Sequence, residues 1–215
     1  MKTGIIGSGI VGQVLAKAFH QEGHAVQLGT RNPDKAELVK FKKENPGIRI
    51  STFQEAAAGS DWIILATGGS VTAEAIQLAG ISNFAGKLVM DATNPISATP
   101  PTNGVLSFFT GPNESLMEKL QTLLPDAKLV KVFNSVGNAF MYKPSFPGGT
   151  PTMFICGNDE EAKKTVTGIL DVFGWETADM GKAEAARAIE PLCILWCIPG
   201  MLRNEWRHAF KLLKA

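Results

Sequence analysis

Cysteine and histidine are scarce in this 215-residue chain, and no tract carries charge of one sign. The three cysteines are Cys156, Cys193 and Cys197, an odd number with two of them four apart in an apolar helical setting. They read as small buried hydrophobes in a reducing compartment rather than as a disulfide framework. His20, His24 and His208 are scattered, so no metal cluster is expected. Lysine plus arginine number 21 against 20 acidic residues, a balance without a polyanion footprint, which argues against nucleic acid as a partner. The longest apolar run, Pro191–Leu202, is too short and too interrupted by proline to cross a bilayer, so no transmembrane segment is expected. An apolar strand starts almost at Met1 and leaves no leader pattern, so a cytoplasmic location is expected. A Tyr-x-x-x-Lys pair, a GxSxG elbow, paired catalytic carboxylates and a long helix with a catalytic lysine are also missing. No residue is therefore assigned as general acid, base or nucleophile.

What is present is an ordered opening. Lys2–Ile6 is a short apolar strand, Gly7-Ser8-Gly9-Ile10-Val11-Gly12 follows, a helical pattern runs to about Gln21, and Ala25–Gly29 reads as a second strand. A GxGxxG hexapeptide alone is weak. Between a strand and a helix, inside a unit of about 30 residues, it marks a dinucleotide-binding turn. Gly7 permits the turn, Gly9 lets backbone approach a pyrophosphate, and Gly12 lets the helix pack on the strand. The free N–H groups of Ile10 and Val11 at the helix start would face the phosphates.

The second strand exits into Gly29-Thr30-Arg31-Asn32, with no acid to receive a ribose 2′-OH. Arg31 would attract a 2′-phosphate and could stack on adenine, Thr30 can donate a hydroxyl hydrogen bond, and Lys35 would add a second charge. Asn32-Pro33 reads as a helix cap followed by proline in the first helical position, opening a helix over Asp34–Lys43. The pattern predicts NADP(H) over NAD(H).

Strands and helices then alternate. Ile48–Ser51, Trp62–Ala66, Lys87–Met90 and Leu129–Phe133 read as strands, and Phe53–Ala58, Val71–Ala79 and Glu114–Leu124 as helices. This implies a Rossmann-type, doubly wound, mostly parallel α/β sheet. Residues 1–141 form the NADP-binding part. Residues 142–215 form an extension, not independent, that completes the sheet and the acceptor pocket. In it Thr152–Cys156 and Glu176–Ala178 read as strands, Asp159–Phe173 as a helix, and Gly181 onward as helix broken at Pro191 and Pro199. Ligands in such sheets lie beyond the C-terminal strand ends. The further candidates are Ala66, Thr67 and Gly68 at the fourth strand's exit, Asn94 at the fifth, and Asn134 and Val136 at the sixth. The two asparagines could hold a carboxamide or a ring edge, and the alternative is a loop-forming role in Asx turns. Arg187 and Glu190 either line an acceptor pocket or form an exposed helix pair. Leu192–Leu202, with Trp196 and Met201, reads as core or as the interface of a homodimer. Arg203, Arg207, Lys211 and Lys214 read as a solvated basic stripe on a terminal helix.

The segments Lys131-Val132-Phe133-Asn134-Ser135-Val136 and Phe154-Ile155-Cys156-Gly157-Asn158-Asp159, taken with Gly7–Gly12 and Thr30-Arg31-Asn32, resemble the NADP oxidoreductases that reduce the deazaflavin coenzyme F420. They are equally similar to the cytosolic NADPH-binding domain of the six-transmembrane metalloreductases. The resemblance extends to about Met201. It implies that Thr30, Arg31 and Lys35 meet the 2′-phosphate and that the nicotinamide lies near Asn134–Val136. It places the second ring near Arg187 and the apolar C-terminal helix. The expected activity is hydride transfer between NADPH and a deazaflavin or flavin-type acceptor, where stacking and orientation matter more than a strong acid or base. The alternatives are a flavin-linked ferric reductase, or a non-catalytic NADP-binding sensor or partner protein. An open apolar slot beside the nicotinamide favours turnover; a site filled by Phe140, Tyr142 or Trp196 favours sensing.

Overall fold

The computed structural model describes residues 1–214. Six parallel strands, β1 (Lys2–Ile6), β2 (Ala25–Thr30), β3 (Arg49–Thr52), β4 (Trp62–Leu65), β5 (Leu88–Asp91) and β6 (Lys128–Lys131), stand in the order 3-2-1-4-5-6. Two more, β7 (Thr152–Gly157) and β8 (Glu176–Asp179), continue the same sheet. β7 runs antiparallel to β6, and β8 parallel to β7. The doubly wound α/β architecture with a helical C-terminal segment is thus present. Strand order reverses between β1 and β4, so the ligand crevice belongs at their exits.

The central strands are apolar on both faces because helices cover both. Ile5, Leu28, Ile64, Met90 and Val130 point to one side, where α1 (Ile10–Gln21), α2 (Ala36–Glu44) and α6 (Glu160–Val172) pack. Ile6, Ile63, Leu65, Val89 and Leu129 point to the other, under α3 (Phe53–Ala58), α4 (Thr72–Ala79) and α5 (Leu116–Leu123). Thr52 opens α3 with a capping box: its hydroxyl accepts from Glu55 N–H, and the Glu55 carboxylate accepts from Thr52 N–H.

Three local expectations are corrected. Asn32 does not cap α2. Its Oδ1 accepts from Asp34 N–H at 3.0 Å, and this Asx turn delays the helix to Ala36, with Lys35 extended at the cap position. Proline breaks the C-terminal helix once, not twice. A four-residue α7 (Ala186–Ile189) is followed by α8 (Leu192–Arg203), which carries Pro199 inside it. The helical stretch Ala183–Arg203 is 21 residues long with mean hydropathy 1.4, long and apolar enough by composition to cross a membrane. Here Cys193 and Trp196 are buried on it, and it carries a buried Glu190. Finally, residues 204–214 are not helical. Asn204 ends α8 in the left-handed conformation, Trp206 turns back against Gly200, and the irregular tail passes the start of β7, where Phe210 O accepts from Thr152 N–H at 2.8 Å. Aromatic packing on α8 outweighs the amphipathic pattern that suggests a helix.

Candidate active site

The first turn assembles as its glycines require. Gly7 has φ +127°, a region closed to side chains, and a Cβ there would overlap the Ala66 carbonyl of the neighbouring strand exit. A Cβ on Gly12 would overlap the Gly7 carbonyl, so this residue fixes how closely α1 approaches β1. Gly9 meets nothing within 4 Å and opens toward the crevice. Gln13 Nε2 donates to Ser8 O at 3.0 Å and braces the turn. Ile10 is exposed and Val11 half-buried in the first turn of α1, with their backbone N–H groups at its N-terminus.

One cleft gathers most of the expected residues. Gly7, Ser8, Gly9, Thr30, Arg31, Lys35, Ala66, Thr67 and Gly68 line it, joined by Phe53, Val71, Glu74 and Ala75. Thr30 is buried and Arg31 exposed, so the hydroxyl is fixed while the guanidinium stays free to move. Thr67 Oγ1 and Thr72 Oγ1 lie 2.9 Å apart, and Thr72 Oγ1 donates to Gly68 O at 3.0 Å. This lashes the start of α4 to the β4 exit. Asn32 is outside the cleft lining, since its side chain is spent in the Asx turn.

At the far end of the crevice, Asn94 and Asn134 clasp one another. Asn94 Nδ2 donates to Asn134 O at 2.8 Å, and Asn134 Nδ2 donates to Asn94 Oδ1 and Ile189 O, each at 3.1 Å. Their side-chain donors therefore face inward and join the β5 and β6 exits. Asn134 Oδ1 is buried without a partner. Preceding it, Phe133 sits at φ +63°, a strained position for a bulky residue, held by burial against Phe173. Val136 is buried beside it.

Beneath this clasp is a charge cluster that sequence reasoning missed. Lys131 is fully buried, and its ammonium meets Asp91 Oδ2 at 2.7 Å, Glu190 Oε1 at 2.8 Å and Thr93 O at 2.9 Å. All three ammonium protons are accounted for. Burial works against the charged form of Lys131, but the carboxylates of Asp91 and Glu190 override it and raise the lysine pKa. Asp91 Oδ1 also accepts from Thr93 N–H and Oγ1–H. Glu190 accepts from Leu116 and Met117 N–H at 2.9 and 3.0 Å, so it caps α5, where the helix dipole favours its charge. The cluster joins β5, β6, α5 and the turn between α7 and α8. Glu190 thus belongs neither to an exposed pair nor to a pocket wall, and Arg187 pairs instead with Glu118, holding that carboxyl below its usual range. The missed signal was a lysine inside the apolar run Leu129–Phe133, a position that demands a buried partner.

Trp196, buried on α8, lays its indole against Gly137. It stacks on His208 with ring centroids 4.9 Å apart, and its Nε1 donates to His208 O at 2.9 Å. Tyr142 turns away to donate to Glu22, and Phe140 packs on Phe146. No cluster of metal-ligating side chains occurs among the described residues.

A Rossmann sheet with a glycine turn and a cationic β2 exit defines a dinucleotide-binding fold. Residues 2–95 match the family described as NADP oxidoreductase coenzyme F420-dependent. The chain is 31% identical over 210 residues to Metalloreductase STEAP3 of Rattus norvegicus, covering 94% of this chain and 39% of that protein. It spans about two fifths of the length of these metalloreductase relatives. It is 29% identical to the F420-dependent NADP reductase of Methanocaldococcus jannaschii, covering 89% of each. A solved structure of a candidate F420-dependent NADP-reductase from Arthrobacter sp. FB24 superposes with a TM-score of 0.92, at 29% identity and over 99% of both chains. The chain is similar both to F420-dependent NADP reductases and to the STEAP metalloreductases.

Proposed function

We propose that the chain transfers hydride between NADPH and a deazaflavin (F420) or flavin-type acceptor. The observation that carries the cofactor half is the cleft in which Thr30, Arg31 and Lys35 stand where an NAD site has an acid, facing the open Gly9 turn. In this reading the cleft holds the adenosine end. The N–H groups of Ile10 and Val11 receive the pyrophosphate, Arg31 and Lys35 bind the 2′-phosphate, and Ala66, Thr67 and Gly68 let the dinucleotide lie against backbone. Gly12 acts through packing, and Asn32 acts only by shaping the turn. NADPH supplies the hydride when bound. The residues of this chain orient it: the Asn94–Asn134 clasp and Val136 form the floor at the nicotinamide end, and the orphaned Asn134 Oδ1 fits a carboxamide N–H donor.

Residues 142–215 supply the acceptor side, with the Trp196 indole as its wall. The likeness to metalloreductases makes a flavin-linked ferric centre a further acceptor class. A second reading, an NADP sensor, is favoured by Trp196 resting on Gly137, where a ring would have to enter. A cytoplasmic location and a homodimer through the exposed Leu195, Met201 and Leu202 of α8 complete the reading.

The test is NADPH oxidation by purified protein, followed in the near ultraviolet, with F420, FAD, FMN and ferric chelate offered separately. Turnover with F420 or a flavin is expected. Tight NADPH binding without turnover on any acceptor would overturn the enzyme reading in favour of the sensor.

A further inference from the structure

The cleft with the two cations also contains a carboxylate. Glu74 faces them from α4, and its Oε1 lies 4.0 Å from Arg31 Nη1. It is the one acidic residue among those lining the cleft. Its position is built in, because the Thr67–Thr72–Gly68 hydrogen bonds fix the first turn of α4 on the β4 exit. Lys35 has its own counterion outside the lining, Glu37 at 3.1 Å. Both cations are therefore neutralised in the free protein, but only Arg31 is neutralised from within the cleft.

Resting on the NADP(H) reading of this cleft, we propose that Glu74 is a specificity-determining residue that holds back the preference for NADPH over NADH. A 2′-phosphate carries nearly two negative charges and must draw Arg31 away from Glu74 while facing its carboxylate. A 2′-hydroxyl has no such conflict. It can donate to Glu74, which then performs from α4 the task that an acid at the end of β2 performs in NAD-binding folds. The cleft is thus tuned between the two cofactors by charges on opposite walls. Arg31 rewards the phosphate and Glu74 penalises it.

The experiment is calorimetric titration of NADPH and of NADH into the wild type, Glu74→Gln and Arg31→Ala, at low and high salt. Glu74 is more than half exposed, and glutamine keeps its shape, so folding is expected to be unaffected; thermal melts check this. The ratio Kd(NADH)/Kd(NADPH) is expected to rise about threefold or more in Glu74→Gln, the size of an exposed charge contact, and the gain should shrink in about 0.5 M salt. Arg31→Ala should lower the same ratio by about tenfold. An unchanged or lower ratio in Glu74→Gln, with Arg31→Ala still collapsing it, would overturn the role of Glu74 alone. A ratio unmoved by Arg31→Ala would overturn the phosphate subsite itself.

Discussion

Replacing Lys131 by methionine tests whether the buried cluster holds the nicotinamide end together. Methionine nearly matches the lysine stem in volume, so the loss is one of charge and hydrogen bonds rather than packing. Three acceptors at 2.7–2.9 Å lose their donor, and two carboxylates with at most 1% exposure remain side by side. Breaking a buried pair by removing one partner costs about 3–5 kcal/mol. In a domain of this size that lowers Tm by roughly 6–20 °C. Glu190→Gln, added to the lysine variant, should recover part of the loss, because it removes one of the two charges left facing each other. Differential scanning calorimetry of the wild type and both variants reads this. A fall in Tm below about 2 °C, or no recovery in the double variant, would refute the idea that these charges are mutually dependent.

Other expectations follow from local geometry. Gly12→Ala should destabilise by about 1–3 kcal/mol and weaken NADPH binding, because the new methyl overlaps the Gly7 carbonyl; chemical denaturation with parallel titration measures both. Burial between Phe19 and Trp62 lowers the His24 pKa, with the N-terminal charge adding to it. The folded state therefore resists its protonation, and stability should drop as pH falls below about 6.5, a slope that His24→Gln should reduce in urea melts. Among the thiols, a hydrogen bond from Cys193 lowers the pKa of half-buried Cys197, whereas burial pushes Cys156 up to about 12. Maleimide labelling at pH 8, read by mass spectrometry, should mark Cys197 first, and initial labelling at Cys156 would contradict the packing.

The parts of this protein that were legible in sequence are those specified by neighbours in the chain. The turn Gly7–Gly12 is dictated by local sterics, and the acid-free exit Thr30–Arg31 is visible as plain text. Buried parallel strands such as Trp62–Leu65 announce themselves by continuous apolar residues. What was hidden depends on partners far apart in sequence. Lys131 meets Asp91 forty residues back and Glu190 fifty-nine residues ahead. Glu74 enters the cleft only because the order 3-2-1-4 places α4 opposite the β2 exit. The tail after Arg203 has a convincing helical pattern, yet packing of Trp206 and His208 on α8 overrides that local preference.

The antiparallel insertion of β7 has a consequence for chain direction. β1 to β6 all run toward the ligand end, whereas β7 and β8 run the other way. The register also offsets the last two strands: Lys131 pairs with Cys156 and Val130 with Gly157, so most of β7 lies past the last residue of β6. Asp179 pairs with Ile155, and β8 therefore ends level with the β6 exit rather than at the far rim. The helical segment that follows has little distance to cover. It starts at Ala183, held there by Asn158 Oδ1, meets Lys131 at Glu190 and brings Trp196 to Gly137. Reversal and offset together deliver the final helix to the ligand end, so a segment remote in sequence from the glycine turn reaches the crevice without altering any strand that carries the dinucleotide.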